Sequence, residues 1–288
     1  MRTPTSFSRR SIVGWIGVIP RRTTLHSSIF AGTFDKGSNQ YLLLNGFAAP
    51  LRRAVDRDAV DFAAFSTGMA MCKARKQVYF LDACRSTPAV AINTGGQLGS
   101  QFTQIQFDQL PDGVRHWLAI YSSAESEKSF GMAGAPSVFT EALIECLRSA
   151  AWDDMDGPWE SWNVNSDTLS TFIARLLEFR SKLRGLPVQT PMRWGSGNRL
   201  VIHRPKDGER PTVPLLVGCD QSDHNPMATF EIARDGNVVT SRAPPVADDW
   251  EVSLPAYPEY IVTGKNGANT VQKKISLRPA CVTARLTL

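Results

Sequence analysis

The stretch Gln77-Val-Tyr-Phe-Leu-Asp-Ala-Cys-Arg-Ser86 constrains this chain more than any other. Val78 to Leu81 is a short unbroken apolar run, the pattern of a strand buried on both faces of a parallel sheet. The run ends in Asp82-Ala83-Cys84-Arg85, where a carboxylate, a thiol and a guanidinium emerge together. Ligands of open α/β sheets sit just past the carboxyl ends of such strands, so Cys84 is placed to act as a nucleophile. An Asp-x-Cys by itself equally fits a small buried cysteine in an ordinary strand. The rest of the chain has to separate the two readings.

The chain has 288 residues, 42% of them hydrophobic, enough for one sizeable core and a second, smaller unit. Its charge is unevenly spread. Of the 32 basic residues, Arg2, Arg9, Arg10, Arg21 and Arg22 lie in residues 1–34, which carry no acid; the remainder balances 27 basic against 27 acidic residues. A neutral body argues against a nucleic-acid-binding face, because the basic excess belongs to an N-terminal arm, 1–27. The five cysteines (Cys72, Cys84, Cys146, Cys219, Cys281) are scattered and odd in number, with no C-x-x-C or Cys/His cluster. That pattern predicts no metal site and no cofactor, and it fits a reducing cytoplasm. Ser8-Arg9-Arg10 before an apolar run is similar to a twin-arginine export signal. The run is short, however, and Pro20-Arg21-Arg22 stands where a small-residue cleavage site is needed. No stretch is long and apolar enough to span a bilayer, so no membrane association is expected.

Taken in order, Ser28–Ala31 reads as a short strand breaking at Gly32, and Gln40–Leu44 as a second strand. Asp58–Lys76 turns helical, with Val60, Ala63, Ala64, Thr67 and Met71 near one face. After the central strand comes a long connection, 86–114, and then a buried strand at Trp117–Tyr121 that ends in Ser122-Ser123-Ala124. The stripe Val138, Phe139, Ala142, Leu143, Cys146, Leu147, Ala150 predicts an amphipathic helix and puts Cys146 in the core. A second helix is predicted over Thr168–Arg184, with Leu169, Phe172, Ile173, Leu176 and Leu177 as its stripe. Asp167 is its predicted cap, and Gly185 with Pro187 its stop. Arg199–His203 is expected to close the sheet. Alternating strands and helices predict an α/β sheet flanked by helices on both faces, over 28–204.

Residues 205–214, with Pro205, Pro211 and Pro214, read as a linker. Beyond it, in 215–288, the period becomes two: Phe230/Ile232, Trp250/Val252/Leu254, Tyr260/Val262, Ile275/Leu277 and Val282/Ala284/Leu286/Leu288. Asp235-Gly236 is a hairpin turn, and the whole predicts a small β-sandwich without a catalytic constellation. His224, alone in a polar turn, reads as a surface histidine. Such a module is expected to bind a protein partner or the substrate.

Phe80-Leu-Asp-Ala-Cys-Arg-Ser86, the Ser122-Ser123-Ala124 strand end and Val138-Phe-Thr-Glu-Ala-Leu143 follow one another as they do in caspase-like cysteine peptidases. The chain resembles the bacterial caspase and metacaspase type over roughly residues 28–204. Ala83-Cys84-Arg85 matches the caspase cysteine signature, whereas Asp82 replaces its Gln and Ser86 its Gly. The resemblance implies a cysteine endopeptidase acting on polypeptides, with Cys84 attacking the peptide carbonyl. It places Asp82 at the position that lines the substrate pocket and selects Arg or Lys. It also places the catalytic histidine at the end of an earlier strand, about fifty residues upstream of the cysteine. Ile29-Phe-Ala-Gly-Thr-Phe34 is similar to that segment, and Thr33 occupies the histidine's position. The Phe34 amide would still serve the oxyanion hole. His26, His116 and His203 are each badly placed to act as the base. Family members also carry a first strand and helices ahead of this segment, so the resemblance implies a domain truncated or altered at its N-terminus. The alternative is an inactive pseudo-peptidase that keeps the groove as a protein-binding scaffold.

Overall fold

The computed structural model describes residues 30–36, 39–44, 59–69, 76–82, 116–124, 136–153, 162–196, 199–206 and 208–288. Of residues 30–44, side-chain surroundings are described for Tyr41 and Leu42 alone. The architecture is mixed α/β, with several small sheets and few helices. The chain groups into two compact units, Met1–Glu141 with Arg180–Leu200, and Ala142–Phe179 with Val201–Leu288. Among the described residues, no helix is long and apolar enough to cross a membrane.

The first unit is built on β4 (Lys76–Leu81) and β5 (His116–Tyr121), which run parallel with Lys76 opposite His116 and Leu81 opposite Tyr121. Val78 through Leu81 and Leu118 through Tyr121 are all buried, as an unbroken apolar run requires when both faces of a strand are covered. Each such side chain, Leu118 or Ile120 for instance, contributes about 1.5–3 kcal/mol by leaving water. β7 (Met192–Ser196) lies antiparallel on the other side of β5 and ends the sheet. This closing strand replaces the expected one at Arg199–His203. Its apolar residues Met192 and Trp194 are exposed, so its sequence carries no burial pattern to read.

A second, antiparallel sheet joins β1 (Phe30–Lys36), β2 (Asn39–Leu44) and β3 (Ala59–Asp61) in that order. Two expectations are corrected here. The first strand does not break at Gly32; it runs on to Lys36, because ladder pairing with β2 overrides the weak strand propensity of glycine and aspartate. A register shift between Phe30 and Gly32 absorbs the irregularity. Nor is Asp58–Lys76 one helix: Ala59–Asp61 is strand, and helix α1 covers Phe62–Met69. The Asp61 carboxylate accepts a hydrogen bond from the Ala64 amide at 3.0 Å and so fixes the helix start. Phe62 packs edge-on against Tyr79 and Tyr121, with ring centroids 5.5 and 6.1 Å apart. Leu42, Val60 and Phe62 meet Tyr79, Leu81, Ala119 and Tyr121 in one core. One face of the β4–β5 sheet is therefore covered by α1 together with strands, not by helices alone.

Helix α2 (Val138–Glu145) continues as a π-helical turn, Cys146–Ala150. Val138, Phe139, Ala142, Leu143 and Cys146 are buried, as their spacing predicts. Helix α3 (Ser166–Arg184) buries Leu169, Ile173, Leu176 and Leu177. Its cap is Asn165, not Asp167: the Asn165 Oδ1 accepts from the amides of Asp167 and Thr168 at 3.0 and 3.1 Å. Asp167 sits in the first turn, where its charge still favours the helix dipole. Gly185, at φ 61°, ends the helix as expected. The Leu186 amide donates to the Ser181 carbonyl and the Gly185 amide to the Lys182 carbonyl, the paired bonds of a Schellman stop.

In the second unit, β8 (Val201–His203) pairs with the short β6 (Val164–Asn165) in a two-stranded sheet of its own. The strands beyond form two sheets. One has β11 (Asn237–Arg242), β10 (Thr229–Arg234), β13 (Tyr257–Asn266) and β14 (Asn269–Leu277) in that order. The other has β12 (Trp250–Pro255), β9 (Thr212–Cys219) and β15 (Val282–Leu286). The proline-rich stretch thus ends inside a strand, with Pro214 opposite Ser253, one residue before the parallel pairing with β15 starts at Leu215. Asp235 and Gly236 turn the β10–β11 hairpin at φ 51° and 79°, as a two-residue turn of this kind requires. The sheets meet closely at Gly264, where a Cβ would lie 2.8 Å from the side chains of both Leu286 and Leu288. Phe230, Ile232, Tyr260, Val262, Ala284 and Leu286 are buried, as the period of two predicts.

A polar knot ties this module. Arg285 donates two hydrogen bonds to the Asp249 carboxylate, both 2.6 Å, and Asn225 donates a third at 3.0 Å. The Asn225 Oδ1 in turn accepts from the Cys219 amide at 2.8 Å. His224 is not a bare surface residue: it is half-buried, and its Nδ1 lies 2.6 Å from the Leu288 carbonyl oxygen. Burial pushes the Asp249 carboxyl up, but the bonds from Arg285 and Asn225 outweigh it and hold the group below its ordinary value. A depressed carboxyl stabilises the fold above its unfolded value, near pH 4, and loses that contribution as pH falls through the folded value. The Arg285 side chain is 36% exposed, so solvent limits the effect to about 1 kcal/mol. Thermal unfolding from pH 7 to pH 3 is expected to fall more steeply for the parent chain than for Asp249→Asn. Parallel curves would show that the knot does not titrate with folding.

Candidate active site

β4 and β5 deliver their carboxyl ends side by side, with the Ser122 amide donating to the Leu81 carbonyl at 2.9 Å. This gathers Asp82, Ser122 and Ser123 at one edge of the sheet, all three buried. The Gln189 side-chain amide donates to the Ser122 carbonyl at 3.3 Å and braces the same edge.

Asp82 is 2% exposed. Its Oδ2 accepts a short hydrogen bond from the Ser137 hydroxyl and a second, of 2.6 Å, from the Thr140 hydroxyl. Ser137 is also the cap of α2: its Oγ accepts from the Thr140 amide at 3.0 Å, and its carbonyl from the Glu141 amide at 3.0 Å. The first turn of α2 is thereby fastened to the end of β4. A serine before Val138-Phe139 is a legible helix start. Nothing in the sequence shows that its hydroxyl reaches a carboxylate 55 residues earlier.

Cys84, the candidate nucleophile, lies outside the described residues, as do Arg85, the connection 86–114 and His26. Thr33, at the position the resemblance assigns to the histidine, lies inside β1 with Leu42 opposite, and Phe34 is opposite Tyr41. The resemblance implied a turn at a strand end; the segment is ladder. His116 is the one histidine of the β4–β5–β7 sheet among the described residues. It sits beside Lys76 at the far end of the strands, roughly 17 Å from the carboxyl edge at the usual rise per residue. His203 belongs to the separate β6–β8 pair, with its ring 6.3 Å from that of Trp152. Among the described residues, no group of three or more His, Cys, Asp or Glu side chains could hold a metal ion.

Two of the three described thiols contrast with what a nucleophile needs, whereas Cys281 is partly exposed. Cys146 is fully buried, and burial, with the nearby Glu145 charge adding to it, pushes its thiol well above the ordinary value. Cys219 is buried too, and burial again raises it. Thiolate fraction and access govern alkylation, so brief iodoacetamide treatment is expected to modify Cys84 at least about tenfold faster than Cys146 or Cys219. Peptide mapping reads the order directly, and preferential labelling of Cys146 would remove Cys84 as a nucleophile.

Compared with models of known protein families and with the sequences of curated proteins, the chain matches none.

Proposed function

We propose that the chain is built as a caspase-like cysteine endopeptidase acting on polypeptides in the cytoplasm, with Cys84 as its nucleophile. The supporting observation is the meeting of Asp82 with Ser122 and Ser123 at the carboxyl ends of two parallel buried strands, two residues before the cysteine. In this reading the Cys84 thiolate attacks a peptide carbonyl, an acyl-enzyme forms, the amine leaves with a proton, and water releases the acid. Asp82 selects Arg or Lys on the acyl side of the scissile bond by charge pairing. The C-terminal β module binds a protein partner or the substrate.

A second reading, a pseudo-peptidase that binds polypeptides without cleaving them, is favoured by Thr33 lying within the β1–β2 ladder. Threonine cannot accept the thiol proton near neutral pH.

Peptidyl chloromethyl ketones test the first reading without needing a turnover. An arginyl reagent is expected to alkylate Cys84 at least about tenfold faster than an aspartyl one, because a carboxylate in the pocket attracts the first and repels the second. Equal rates would remove Asp82 from substrate selection, and labelling elsewhere would remove Cys84 from the site.

A further inference from the structure

We draw no further inference here: the strongest candidate, the end strand β11 with its exposed Val238 and Val239, has its edge broken by a register shift at Val239, and nothing in the structure shows what covers it.

Discussion

Thr33→His combined with Phe34→Gly is expected to raise Cys84-dependent cleavage of arginyl peptides by roughly four orders of magnitude. A cysteine peptidase without its base keeps only oxyanion stabilisation and substrate binding, so the unmodified chain should hydrolyse fluorogenic peptides barely above background. The double substitution supplies an imidazole at the position the resemblance assigns to the base. Glycine at 34 also loosens a segment that pairs in β1 opposite Tyr41, where a strand must open into a turn for the histidine to face the cysteine. Cys84→Ala in the same background should abolish the gain. Vigorous Cys84-dependent cleavage by the unmodified chain would show that another residue serves as base. A folded but inactive double variant would favour the scaffold reading.

Asp82→Ala is expected to destabilise the chain by about 2–4 kcal/mol, even in an inactive background. The substitution strips the shared acceptor from the Ser137 and Thr140 hydroxyls at a buried position and frees the first turn of α2 from the end of β4. Asp82→Asn keeps the shape and one acceptor oxygen, so it should cost about half as much. Ser137→Ala loses both the bond to Asp82 and the cap on the Thr140 amide. The double variant with Asp82→Ala should therefore fall short of the sum of the single effects, by about 1 kcal/mol. Denaturant unfolding measures all four chains. A stable Asp82→Ala variant would mean that this carboxylate contributes nothing to the fold.

What the sequence determined by itself is the set of elements whose own residues carry the cause. Val78–Leu81 and Trp117–Tyr121 are legible as strands because unbroken apolar runs bounded by polar ends leave little choice. The stripes of α2 and α3 repeat at helical spacing, and Gly185 and Asp235-Gly236 take positive φ where the chain must stop or turn. The alternation from Phe230 onward announces strands with one buried face, and Phe230, Ile232, Leu254, Tyr260, Val262, Leu277, Ala284 and Leu286 are buried in keeping with it.

Partners outside each element's own residue pattern decided the rest, some in a neighbouring segment and some far along the chain. β1 continues through Gly32 and Thr33 since β2 offers a ladder, which local propensity does not contain. Ala59–Asp61 leaves the helical pattern for the same sheet. β7 closes the β4–β5 sheet by backbone pairing and by the edge-on contact of Trp194 with Trp117, although Met192 and Trp194 stay exposed and give no burial pattern. Asn165 captures the cap of α3 because its side chain reaches two amides that Asp167, already inside the first turn, cannot accept from. Asp82 shows the division most sharply. Its place at the end of a buried strand is local and readable, but its two hydroxyl partners on α2 are set only when the fold brings Ser137 and Thr140 to it.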